Sequence, residues 1–233
     1  MTSLHLLSGG AAQGLVNQLQ AQFLSQTGCT IEADFGAVGL MKERLLAGAP
    51  CDVVILTQSL IEQLISSGQA RPSSAQPLGR VKTGVAVKSG EALPKVDDPA
   101  GLKAALLAAQ GIYFPDPLKA TAGIHFMNVL KRLDIDAELA PRLHPFPNGA
   151  SAMAAMAQAP EDGLIGCTQL TEILYTPGVQ LVAPLPREFE LATLYTAAVC
   201  TQAAQPQAAA ELIRLLVSPE AAALRRSGGF DQA

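Results

Sequence analysis

Leu4-His5-Leu6-Leu7-Ser8-Gly9-Gly10-Ala11-Ala12-Gln13-Gly14, followed by an apolar-periodic run from Leu15 to Phe23, decides how this chain is read. Residues suited to a buried strand lead into a turn of small residues, and the turn leads into a helical pattern. A helix entered this way leaves its first backbone N–H groups without intrahelical partners. With the positive end of the helix dipole behind them, those groups suit an anion. Ser8, Gly9, Gly10, Ala11 and Gln13 are therefore the first candidate ligand residues. The competing reading is an ordinary strand-to-helix turn.

The same rhythm continues outward. Residues 30–35 and 52–56 read as strands, and 39–47 and 59–67 as helices closed by Gly48 and Gly68. This βαβαβ order predicts a parallel or mixed sheet with helices on both faces. Residues 71–79, with Pro72, Pro77 and Gly79, read as a breaker-rich loop. A strand over 81–87 opens a second α/β series. Its helices are expected at 100–109, 122–132, 151–157 and 170–174, and its strands at 111–114, 163–166 and 179–183, while a late strand over 194–200 could complete either series. Helices over 206–217 and 219–226 close the chain. Two such series predict two lobes.

Composition narrows the function classes. With 233 residues, 49% hydrophobic and 15% charged, the chain is globular and long enough for sizeable cores. A net charge of -4 and the lack of a basic run argue against nucleic acid. No apolar stretch has the length of a membrane span. Met1-Thr2-Ser3 runs straight into a strand pattern without the features of an export signal. Two readings stay open: a cytoplasmic protein, or an exported one whose leader is not in this sequence. Cys29, Cys51, Cys167 and Cys200 are widely spaced and read as buried free thiols, not as a disulfide or metal site. His5, His125 and His144 have no metal-ligand spacing, so neither a metal nor a cofactor is expected.

Several short segments carry a resemblance. They are Phe35-Gly36-Ala37-Val38-Gly39-Leu40, Leu46-Ala47-Gly48-Ala49-Pro50-Cys51-Asp52-Val53-Val54, Pro115-Asp116-Pro117, Thr121-Ala122-Gly123-Ile124 and Pro219-Glu220-Ala221-Ala222. With the opening turn, they make the chain resemble the molybdate-binding-protein family of ABC-transporter solute receptors over essentially its whole length. The resemblance implies an α/β, two-lobed type II periplasmic-binding fold, each lobe a mixed sheet flanked by helices, with a ligand cleft between lobes. Lobe 1 would hold residues 1–80 and 193–233, and lobe 2 residues 81–192. It also implies a monomer that binds a small anion and, if exported, an ABC-transporter permease as partner.

The resemblance adds candidate ligand residues at Ala37 and Val38, at Lys119, Thr121 and Ala122, and at Gly149, Ala150 and Ser151. Thr168 and Gln169 follow the strand at 163–166, the end of a strand where α/β proteins hold ligands. Each has a plain alternative as a helix cap, a packing residue or a solvated charge. The family grips its oxyanion with two serines and a tyrosine, and these positions fall on Ala11, Val38 and Gly166. Each hydroxyl lost beside a charged oxygen costs about 1–3 kcal/mol. The ligand expected here is therefore an organic di- or tricarboxylate and not molybdate. The alternative is a cofactor-independent isomerase of aconitate type, an activity that resembles this family in fold. Its 1,3-proton shift between cis- and trans-aconitate needs a base, for which His125, Lys119 and Glu172 are the candidates.

Overall fold

The opening stretch forms β1 (Thr2–Gly9), a single 3₁₀ turn at Gly10–Ala12 and α1 (Gln13–Thr27). It belongs to one of two compact units in the computed structural model, which describes residues 2–231. Unit 1 comprises the chain up to Val81 and from Thr193 onward; unit 2 is Lys82–Ala192. The chain passes between them twice.

Unit 1 continues through β2 (Cys29–Gly36), α2 (Val38–Leu46), β3 (Val53–Thr57) and α3 (Gln58–Ser66). β1 pairs in parallel with both β2 and β3. All five residues of β3, Val-Val-Ile-Leu-Thr, are buried, as befits a strand covered on both faces. α1 ends at Gly28, whose φ of 67° is the left-handed C-cap conformation that glycine adopts without strain.

The chain then enters β4 (Gln76–Lys88), which carries it into unit 2. Strand structure begins inside the segment read from sequence as a loop. Pro72–Ser74 is a 3₁₀ turn and β4 starts at Gln76, hydrogen-bonded to a later strand of the sheet; Arg80 and Asp231 also exchange backbone hydrogen bonds of 3.0 and 2.8 Å. Gly79 sits at a φ of 144°, and a Cβ there would lie 2.5 Å from the Asp231 carbonyl oxygen.

Unit 2 follows with α4 (Pro99–Ala108), β5 (Gly111–Pro115), α5 (Thr121–Arg132), α6 (Asp136–Leu139) and β6 (Leu143–Phe146). Then come α7 (Gly149–Gln158), β7 (Leu164–Gln169), α8 (Leu170–Tyr175) and β8 (Val179–Pro184). The mixed sheet runs β8-β4-β7-β5-β6: β4 is antiparallel to β7 and β8, while β5 is parallel to β6 and β7. Leu102, Leu106, Ile112, Phe114, Phe126 and Val129 belong to its core. α6 and β6 were not expected from sequence. β6 is four residues long, contains Pro145 and lies at the sheet edge, where a proline removes no ladder bond that is needed.

The chain returns to unit 1 through β9 (Ala192–Val199), which pairs antiparallel with β3, and ends with α9 (Pro206–Val217) and α10 (Ala222–Ser227). α10 starts three residues later than the proline at position 219 suggests, after a turn over 219–221. Both units are thus α/β, each a mixed sheet with helices. No helix among the described residues is long and apolar enough to cross a membrane.

Candidate functional site

In unit 1 the candidate residues gather at one sheet edge. β1, β2 and β3 run in parallel, with Gly9 level with Gly36, and Thr57 pairs with Tyr195 of β9. The turn at Gly10–Ala12, α1, α2 and α3 all begin at this edge, and none has a side-chain cap. The capping position of α2 is Ala37, which has no side-chain acceptor to offer. The first N–H groups of these helices therefore lack the capping acceptor that most helix starts carry.

Gly9 has ordinary backbone angles, with φ at -58°. Its glycine identity comes from close approach instead. A Cβ there would lie 2.7 Å from Val38 Cγ1 and 3.1 Å from Tyr195 Cε1. Ala11 and Val38 are both buried, so the two positions where the molybdate-binding family has serines are apolar here. Ser8 is fully buried, and its Oγ donates to the Gly9 carbonyl at 2.9 Å. Its hydroxyl is therefore tied to the turn in this structure. Sequence reading missed Thr57, whose Oγ1 lies 3.2 Å from Ser59 Oγ, and Thr196, whose Oγ1 lies 3.4 Å from Gln58 Oε1. The available signal was the position of Thr57 at the end of an apolar strand.

In unit 2 the helices that follow β5, β6 and β7 begin at the carboxyl ends of those parallel strands. Here the donors are already engaged. Asn148 Oδ1 accepts the Ser151 N–H at 2.8 Å, and the Asn148 N–H donates to Ser151 Oγ at 3.3 Å, closing a capping box on α7. The Glu172 carboxylate takes the rest. It accepts the Thr168 hydroxyl and the backbone N–H groups of Gly149, Ala150 and Gln169. A Cβ on Gly149 would lie 1.9 Å from Thr168 Oγ1 and 2.0 Å from Glu172 Oε2. Gly149, Ala150, Ser151, Thr168 and Gln169 are brought together as a closed hydrogen-bonded cluster around Glu172. Burial raises the Glu172 carboxyl above its ordinary value, and its four donors act in the opposite direction.

The start of α5 differs. Asp116 Oδ1 accepts the backbone N–H groups of Leu118 and Lys119 at 2.7 and 3.0 Å, fixing the loop before the helix. Gly123 packs so tightly on this loop that a Cβ would lie 2.2 Å from the Pro115 carbonyl oxygen. The helix opens at Thr121 with Ala120 as its cap position and no side-chain cap. Lys119 is exposed, Thr121 half-buried and Ala122 buried. His125 Nε2 donates to the Phe189 carbonyl at 2.7 Å, which ties that nitrogen to the loop before β9. Gly166, where the resemblance places a tyrosine, is packed against the flexible end of a methionine: a Cβ would lie 2.4 Å from Met153 Cε. No cluster of His, Cys, Asp and Glu suited to a metal occurs among the described residues.

Known proteins agree with this architecture. The bacterial extracellular solute-binding protein family matches residues 4–231, and this chain belongs to it. Among its relatives, the aconitate isomerase of Pseudomonas sp is 27% identical over 238 residues, covering 98% of this chain and 87% of that protein. The molybdate-binding protein ModA of Escherichia coli (strain K12) is 26% identical over 196 residues, covering 81% of this chain and 75% of that protein. The periplasmic molybdate-binding protein of Azotobacter vinelandii shares the fold, with a TM-score of 0.80 at 21% identity over 99% of both chains. The resemblance read from the sequence segments therefore holds, and the fold is that of the periplasmic-binding proteins.

Proposed function

We propose that this solute-binding protein takes a small organic anion bearing two or three carboxylates. One observation carries the reading: three helical starts, the turn that runs into α1, α2 and α3, share one edge of the unit 1 sheet without a side-chain cap, where Ala11 and Val38 supply no hydroxyl. Backbone N–H groups serve a flat carboxylate well, whereas a compact tetrahedral oxyanion gains from hydroxyl donors on several sides. In unit 2, exposed Lys119 and the uncapped start of α5 are the proposed ligand groups. Each unit is proposed to act as one lobe, the protein as a monomer, and an ABC-transporter permease as its partner.

Thermal unfolding with citrate, cis-aconitate, trans-aconitate, molybdate and sulfate tests this. A ligand at one hundred times its dissociation constant adds about 2.7 kcal/mol, which raises Tm by roughly 5–10 °C in a chain of this size. The tricarboxylates are expected to give that rise. Stabilisation by molybdate alone would overturn the reading.

The extent of the match to the aconitate isomerase favours a second reading, catalysis of the same proton shift. Of the three candidate bases, Glu172 is buried among its own donors and His125 Nε2 is bound to Phe189, whereas Lys119 is exposed. With Nε2 donating to a carbonyl, His125 keeps Nδ1 as a proton acceptor, so the isomerase reading keeps His125 and Lys119 as its candidate bases. Incubation with cis-aconitate, followed by NMR for trans-aconitate, decides it: turnover that vanishes in His125→Ala or Lys119→Ala supports catalysis, and no turnover leaves binding alone.

A further inference from the structure

The four cysteines are free thiols in the structure, but two of them are not apart. Cys51 and Cys200 are 149 positions apart in sequence, yet their Sγ atoms lie 3.4 Å from one another. Both belong to unit 1. The β3–β9 ladder brings them together: Val53 pairs with Val199, and the Cys200 N–H donates to the Asp52 carbonyl at 2.9 Å. Neighbouring bonds hold the place firmly. Asp52 is buried, and its carboxylate accepts the His5 N–H at 2.8 Å and the Gln205 N–H at 2.7 Å. A disulfide needs the sulfurs at about 2.05 Å, so closure brings them about 1.4 Å closer.

We propose that Cys51 and Cys200 form a dithiol site that a low-molecular-weight disulfide oxidises to an intramolecular disulfide. Cys51 is half-buried, whereas Cys200 is buried. The hydrogen bond to Cys51 and burial together push the Cys200 thiol up, so Cys51 reacts first. Its thiolate attacks one sulfur of the oxidant, forming a mixed disulfide and releasing one thiolate. Cys200 then gives up its proton to solvent and attacks Cys51 Sγ, and the second small thiol leaves. The two protein thiols lose two electrons and two protons, and the oxidant becomes two thiols. Cys29 and Cys167 take no part: each is buried, and Cys167 lies in the core of unit 2.

The pair lies at the amino end of β3, and the candidate turn lies at its carboxyl end, since Thr57 pairs with Tyr195 there. Oxidation therefore strengthens the β3–β9 join without touching the candidate ligand residues. Closing so long a loop is expected to raise Tm by about 5–10 °C.

The full-length protein, reduced and then treated with oxidised glutathione, is alkylated in denaturant and mapped by mass spectrometry. The expected product has a Cys51–Cys200 linked peptide and two alkylated thiols, at Cys29 and Cys167. Cys200→Ser is expected to stop at a glutathione adduct on Cys51, and Cys51→Ser to give neither adduct nor bridge. Four alkylated thiols after treatment, a persistent adduct on the natural chain, or a bridge that includes Cys29 or Cys167 would overturn the proposal.

Discussion

The starts of α2 in unit 1 and α7 in unit 2 solve the same electrostatic problem differently. In unit 1 the starts of α1, α2 and α3 carry no side-chain cap. In unit 2 the start of α7 is closed by Asn148 and by the Glu172 carboxylate. An internal carboxylate thus sits at α7 where a dissolved anion would otherwise find donors. The difference teaches that a helix N-terminus is a ligand group only when the chain leaves it open.

The largest test of this contrast is Gly149→Ala. Its methyl group would overlap Thr168 and Glu172, and a loss of about 4 kcal/mol is expected in thermal or urea unfolding. Gly28→Ala is the control: it has nothing within 4 Å and meets only its left-handed φ of 67°, at a cost of about 1 kcal/mol. Equal losses would mean that the closed cluster is not tightly packed.

Glu172→Ala comes next, with an expected loss of about 3 kcal/mol because buried donors are left without an acceptor. Formate, which fits the vacated place, should recover part of that Tm; no loss in Glu172→Ala would break the contrast. A pH series sharpens it. Burial raises the carboxyl above its ordinary 4.5, so the folded state holds the proton more tightly. The associated stability is complete below that value and is lost as pH rises through the raised one. Glu172→Gln has no such proton, so its stability relative to the natural chain should improve across that window.

Effects in unit 1 should be smaller on stability and larger on ligand response. Gly9→Ala pushes against two side chains, not backbone, and about 1–2 kcal/mol is expected. The same variant should lose the Tm rise given by the tricarboxylates, because the turn shifts. Smallest on stability is a change in unit 2, Lys119→Ala, an exposed substitution worth within about 0.5 kcal/mol. It should still reduce the ligand-induced Tm rise, and an unchanged rise would remove Lys119 from the site.

The order of strands and helices was legible because most elements carry clear periodicity and the first helices stop close to a glycine, as α1 does at Gly28. β6 was not, since Leu-His-Pro-Phe has neither alternation nor length. At the site, the turn of small residues was legible, but the close packing that makes position 9 a glycine was not, because Val38 and Tyr195 reach it from distant parts of the sequence. Hydroxyl residues were visible as types, but their partners were not. Ser8, Ser151 and Thr168 each bond within the protein, with Gly9, Asn148 and Glu172. The Ala47-Gly48-Ala49-Pro50-Cys51-Asp52 segment also proved structural, because Asp52 ties β1 to the start of α9. Such pairings join residues distant in sequence, which local pattern does not reveal.

The double passage of the chain has a consequence for how the molecule is made. Unit 2 is one continuous segment, Lys82–Ala192, and leaves the ribosome whole. Unit 1 waits longer, because Val53 pairs with Val199 and Asp52 receives the Gln205 N–H. Its first three strands are synthesised early but gain their antiparallel neighbour and α9 only at the end. Unit 2 should therefore complete first during translation, and the join at β3 and β9, with its long loop closure, should be the late and slow event.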